Sequence, residues 1–182
     1  MANQLTRYAT VATVDTAGEG YFIGVVVQAA ENDTGIAFSG VNQVWTWQFV
    51  LPFRATTRQI IAEVSTGGAA GKFYGLGLYD VGKNLLVQTG AIDAQAVAVT
   101  STSVTAITLE PGVYWFAQTC DDAATQFRLL GFGTQTSFTS ANENTARGGT
   151  AANPGVAGVL PATLGVVTAN TSRSIILAVF EP

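Results

Sequence analysis

The chain has 182 residues, of which 48% are hydrophobic and only 11% charged, with no His, one Cys (Cys120) and a net charge of −4. Without His there is no Ser-His-Asp triad, no Cys-His pair and no imidazole base, and one Cys supplies neither the usual zinc ligands nor an intrachain disulfide. Eight Lys and Arg against twelve Asp and Glu leave no basic surface for nucleic acid.

In chain order, residues 1–20 are polar and Thr-rich and read as an N-terminal arm, closed by Gly18-Glu19-Gly20. Residues 21–182 read as one β-sandwich domain, because short extended segments recur there between Gly, Pro, Asn and Asp. The first expected strand is Tyr21 to Ala29. Glu31-Asn32-Asp33 then offers oxygens of the kind Ca²⁺ takes, but lacks an alternating acid ladder and reads as a loop. The second strand is Val44 to Leu51, with Trp45, Trp47, Phe49 and Leu51 on one face at a period of two. Pro52 ends it.

A third strand, Arg58 to Ser65, points Ile60, Ala62 and Val64 one way. The fourth, Lys72 to Asp80, sets Tyr74, Leu76 and Leu78 on one face. Gly75 and Gly77 lie on the other, between Phe73 and Tyr79, where glycine permits a neighbouring backbone to come close. Leu85 to Thr89 follows a turn. Val97 to Leu109 is rich in β-branched residues, and its apolar positions change parity between Val99 and Val104 and again before Ile107. That pattern predicts a bulge.

Glu110-Pro111-Gly112 is a turn candidate. It leads into Val113 to Cys120, where Trp115 and Ala117 oppose Tyr114 and Phe116. Both faces are apolar, so this strand is expected to be central. Thr125 to Phe132 comes next, and the last strand, Arg173 to Phe180, is again apolar on both faces. The stretch 133–172 has no clear period and reads as a long ordered loop before the last strand. From Gly148 to Ser172 it carries no charged residue. It either crosses the sandwich or reaches onto a neighbouring subunit. Disorder suits it less, because Leu160, Leu164, Val166 and Val167 favour burial. With a mean hydropathy of +0.32, the scarcity of charge points to burial of this segment against other protein.

Three segments resemble a module of tailed-phage and prophage structural proteins. They are Tyr74-Gly-Leu-Gly-Leu-Tyr-Asp80 with Asn84-Leu-Leu-Val-Gln-Thr-Gly-Ala91, then Leu109-Glu-Pro-Gly-Val-Tyr-Trp-Phe-Ala-Gln118, then Ala151-Ala-Asn-Pro-Gly-Val-Ala-Gly-Val-Leu-Pro-Ala-Thr-Leu-Gly165. The resemblance implies an all-β, jelly-roll-like antiparallel β-sandwich on the virion exterior, commonly a homotrimer. Such proteins are head decoration (cement) proteins, head fibres or tail-fibre modules, and they are not enzymes. The partners it implies are copies of the chain and other virion proteins, such as the major capsid or tail proteins.

Neither a membrane nor nucleic acid is expected as a partner. The longest apolar run, Ile175 to Phe180, is far short of the ~20 residues that span a bilayer. Thr6, Thr10, Thr13 and Asp15 interrupt any signal-peptide core, so the chain is expected to be made in the host cytoplasm. No cofactor, metal or catalytic residue is expected.

Candidate contact residues are Arg7 and Tyr8 in the arm, and Arg147, Pro154, Leu160 and Leu164 around the uncharged stretch. Trp45 and Trp115 are candidates for an alternative reading, a tail-fibre receptor-binding or carbohydrate-binding module that stacks sugars on indole rings. Core packing is the competing role for both, since aromatics on strand faces bury large apolar areas. Asp121-Asp122 is the only adjacent acid pair and reads as a solvated turn. Cys120 reads as a buried thiol. The arginines Arg54, Arg58, Arg128, Arg147 and Arg173 suit either interface anchoring or surface ion pairs.

Overall fold

The computed structural model describes residues 11–14, 21–24, 31–130, 148–169, 175–176 and 178–181. Among them the structure is all β, with antiparallel sheets packed as a sandwich. Val11–Val14 (β1) and Tyr21–Gly24 (β2) pair as antiparallel strands. Glu31–Ala37 (β3), Val44–Leu51 (β4), Ala55–Thr66 (β5), Phe73–Tyr79 (β6), Leu85–Gln88 (β7) and Ile92–Asp93 (β8) follow. Then come Ala98–Leu109 (β9), Gly112–Cys120 (β10), Gln126–Leu130 (β11), Gly148–Ala151 (β12), Val167–Ala169 (β13), Ile175–Ile176 (β14) and Ala178–Glu181 (β15).

One layer is built on β10, which lies between β4 and β6, with β7 and β8 beyond β6 and β12 on the far side of β4. The other layer is built on β5, which pairs with β9, β15 and β11. The ladder runs on from β5 through β15, β2 and β1 to β4, so hydrogen bonding is continuous around one side of the sandwich. At the opposite side β7 and β9 end their layers near each other without pairing.

The alternation read from the sequence decides what faces the core. Trp45, Phe49 and Leu51 of β4, Tyr74, Leu76 and Leu78 of β6, and Phe116 of β10 meet Ile60, Ala62 and Val64 of β5 and Phe127 of β11. Phe38 stacks on Trp45 with ring centroids 3.9 Å apart, and Phe127 sets its edge against both Phe38 and Tyr74. Strand β10 is central, as its two apolar faces predicted, and β15 lies between β2 and β5. The expected bulge is present: register slips where Thr57 to Gln59 of β5 faces Ile107 to Ser103 of β9.

Several expectations need correction. Glu31-Asn32-Asp33, expected as a loop, lies in β3 and pairs with β11. Its polar residues masked a strand whose place is fixed by the partner. The boundary at residue 20 runs through the β1–β2 pair, because Val11–Val14 joins the sheet and Val11 also meets Val50. The stretch after residue 147 is not loop throughout, since β12 and β13 pair with each other inside it. Expected strand residues 25–29, and the parts of the long loop at 133–147 and 170–172, lie outside the described residues.

Candidate functional site

The most distinctive surface is the outer face of the β4–β10–β6 layer, where three neighbouring strands turn apolar groups away from the main core. Val44 of β4, Tyr79 of β6, and Trp115 and Ala117 of β10 all point outward. An apolar sheet face needs a cover, and residues 148–169 supply it from the same chain. Ala151, Leu160, Leu164 and Val167 close a second core over that face. This strap is the segment in which the sequence places no charge.

Backbone bonds anchor the strap along its length. β12 extends the layer by pairing Gly148, Gly149 and Thr150 with Trp47, Thr46 and Trp45. The Gly155 amide donates to the Asn42 carbonyl (2.9 Å), the Leu85 amide to the Ala162 carbonyl (2.9 Å), and the Leu164 amide to the Lys83 carbonyl (3.1 Å). Side chains add three more ties: the Tyr79 hydroxyl donates to the Pro161 carbonyl at 2.7 Å, the Leu160 amide to Gln88 Oε1 at 2.9 Å, and the Ala157 amide to Asn42 Oδ1 at 3.3 Å. Burial pushes the Tyr79 phenol well above its usual range, so it remains a donor.

Close approach requires glycine here, as the sequence suggested. A Cβ on Gly75 would overlap the carbonyl oxygen of Gly158 and lie 2.9 Å from that of Gly90. The strap backbone therefore crosses directly over β6. It does so in a tight Val156–Val159 turn, where Ala157 and Gly158 both have positive φ, 48° and 79°. The turn leaves Val156 exposed, and Val166 and Pro154 also face solvent.

The expected contact residues are thus divided. Leu160 and Leu164 are buried at 4% and 0% exposure within the chain itself. The strap's apolar residues answer the chain's own sheet, which realises the first of its two expected placements. Pro154 is exposed, while Arg7, Tyr8 and Arg147 lie outside the described residues.

The two tryptophans do not form a platform. Trp45 is 1% exposed in the main core and Trp115 3% exposed under the strap, on opposite faces of one layer. Lys83 Nζ stands 5.7 Å from the centre of the Trp115 ring, a cation–π distance. Tyr79, the strap's anchor, is not among the candidate residues the sequence offered. The signal was present: Tyr79, Trp115 and Ala117 form an apolar outer face with no strand left to cover it.

The acid pair is structural. Asp121 Oδ1 accepts from the Phe73 amide at 2.6 Å. Asp122 accepts from the Ala124 and Ala69 amides and the Thr125 hydroxyl, binding the β10–β11 turn to the loop before β6. The Ala124 amide, then the Ala69 amide, holds the Asp122 carboxyl below its ordinary range. Among the described residues no three His, Cys, Asp or Glu side chains converge as metal ligands. Cys120 is fully buried, and burial raises its thiol pKa, which keeps it protonated and unreactive. Arg128 forms a two-pronged pair with Glu63, at 2.8 and 3.2 Å, and Arg54 an exposed pair with Glu110. Arg58 is exposed on β5.

No family model, curated protein or solved structure matches this chain. Among the described residues no helix is long and apolar enough to cross a membrane.

Proposed function

We propose that the chain is a non-enzymatic structural protein on the exterior of a tailed-phage particle, a capsid decoration (cement) or head-fibre protein. It associates with copies of itself, as a trimer in the setting the resemblance implies, and with neighbouring virion subunits such as the major capsid or tail proteins. It is made in the host cytoplasm and binds neither membrane nor nucleic acid.

The observation that carries the associative role is the exposed apolar surface. Val41, Val81, Val97, Val99, Val156 and Val166 are each more than half exposed. Removing such surface from water stabilises a contact by about 25 cal/mol per Å². The phage setting rests on the three resembling segments, two of which form the covered layer and the third the strap over it. The carboxylates of Glu63, Asp80, Asp121 and Asp122 are engaged in hydrogen bonds that hold turns and strands together. That use suits a scaffold.

Negative-stain imaging of particles carrying the labelled chain tests this reading. Label over the head is expected. Label at the tail would move the role to a tail fibre, and absence from particles would overturn it. A chain lacking residues 1–10, which precede β1, should lose particle binding and keep its circular dichroism. A glycan array tests the receptor-binding alternative, and the burial of Trp45 and Trp115 stands against stacking on those rings.

A further inference from the structure

The strap is a hairpin whose loop lies over its own sheet. β12 and β13 form the stem, with Ala151 opposite Val167, and the Ala152 amide donates to the Val166 carbonyl at 2.8 Å. The loop between them, residues 152–166, therefore leaves the stem and returns to it at one place. Compact surface loops with closed ends and packing of their own are frequently functional elements.

Bonds internal to the loop hold its shape. The Asn153 amide donates to the Leu164 carbonyl at 3.2 Å, and Asn153 Nδ2 donates to the Thr163 carbonyl at 2.8 Å. Val156 and Val159 exchange two amide-to-carbonyl bonds of 2.9 Å. None of these involves the sheet. The attachments to the sheet are separate and cluster at its two ends. Asn42, before β4, accepts from the Gly155 and Ala157 amides; Lys83, after β6, accepts from the Leu164 amide, and the Leu85 amide donates to the Ala162 carbonyl.

The closed position carries costs. Ala157 is held at φ 48°, a left-handed conformation that disfavours any residue with a Cβ. Trp115 Nε1 is buried under the strap with no hydrogen-bond partner among the described residues, and an unpaired buried donor opposes closure. The core that Leu160 and Leu164 complete lies on the far side of the layer from the main core, so lifting them away leaves the main core packed.

We infer that residues 152–166 are a lid, which opens as one body about the β12–β13 stem while the sandwich stays folded. Gly165, at φ 69° beside the stem, supplies a hinge that tolerates backbone rotation. Opening bares the apolar face of Val44, Tyr79, Trp115 and Ala117. The inference goes beyond the proposed function and does not depend on it.

Amide hydrogen exchange of the full chain under native conditions tests this. The Leu85, Gly155, Leu160 and Leu164 amides bond across the junction of lid and sheet. They should share one protection factor, lower by about tenfold or more than that of the β10 amides paired with β4 and β6. A cross-link supplies the second measurement. Asn84 and Thr163 are antiparallel bridge partners, flanked by the Leu164–Lys83 and Leu85–Ala162 bonds. In that pairing the side chains approach most closely, so Asn84→Cys with Thr163→Cys should form a disulfide. The oxidised variant should protect the four junction amides about tenfold or more beyond its own reduced form.

Junction amides that exchange only together with those of β10 overturn the inference, because the strap would then belong to one cooperative unit with the sandwich. A graded order of exchange from one end of the loop overturns it too, since that is fraying. So does a cross-linked variant whose junction amides exchange as fast as when reduced. If the variant does not fold, exchange in the parent chain decides alone.

Discussion

The Tyr79 hydroxyl donates a 2.7 Å hydrogen bond to the carbonyl of Pro161, which lies 82 residues further along the chain. This bond ties β6, in the layer built on β10, to the strap that covers it. Tyr79→Phe should cost about 1 kcal/mol in stability. It should also raise proteolytic cutting or amide exchange within 148–169 before the rest of the sandwich responds. The folded state holds the phenol neutral, so its contribution is complete below about pH 10 and is lost as pH rises above that. The variant should therefore show a flatter alkaline limb of stability than the parent.

Gly75→Ala tests the crossing itself. The added methyl meets the Gly158 carbonyl, and that atom belongs to backbone, not to the end of a flexible side chain. Overpacking of this kind costs roughly 1–3 kcal/mol. Thermal unfolding should report the loss, and exchange protection of the Leu85 and Leu164 amides, which bond to the strap junction, should fall with it. Retained protection at full stability would mean the strap does not lie over β6.

Gln118 points in the opposite direction. It is fully buried on the inner face of β10, opposite Trp45 and Leu76, and neither of its amide atoms finds a partner among the described residues. A buried polar group left unpaired costs about 1–3 kcal/mol. Gln118→Met, similar in size and apolar, should raise the midpoint of denaturant unfolding. A lower midpoint would show that the amide is satisfied in solution.

Asp122 should contribute to the acid response, together with Asp80 and Glu63, whose carboxyls are also held low. The Ala124 amide first, and the Ala69 amide and Thr125 hydroxyl with it, lower the folded pKa of Asp122. A lowered carboxylate contributes stability above its unfolded value, near pH 4, and loses it as pH falls through the folded value. Asp122→Ala should reduce stability at neutral pH and flatten the decline in acid. Arg54→Ala, which removes an exposed pair with Glu110, should change stability by less than about 1 kcal/mol.

Much of the sandwich was legible because strand faces are local. The period of two in Val44–Leu51 and Phe73–Tyr79 assigned Trp45, Phe49, Leu76 and Leu78 to one face before any partner was known, and these residues form the core. Parity changes located the bulge in β9 from its own residues. The two apolar faces of β10 marked it as central. Among the strands that escaped notice, β3 and β12 are polar or glycine-rich and owe their extension to the strands they pair with.

The sequence by itself determined that one long segment had lost its charge and needed a cover or a surface to cover. It did not determine which, because a run without a period carries no information about its partner. Only the tertiary structure decided that Leu160 and Leu164 turn inward onto Trp115 and Tyr79 of the same chain, and that Trp45 and Trp115 lie on opposite faces of one layer. The physical reason is that burial is set by contacts between residues far apart in the chain. The charge that is missing from the strap is explained within the chain.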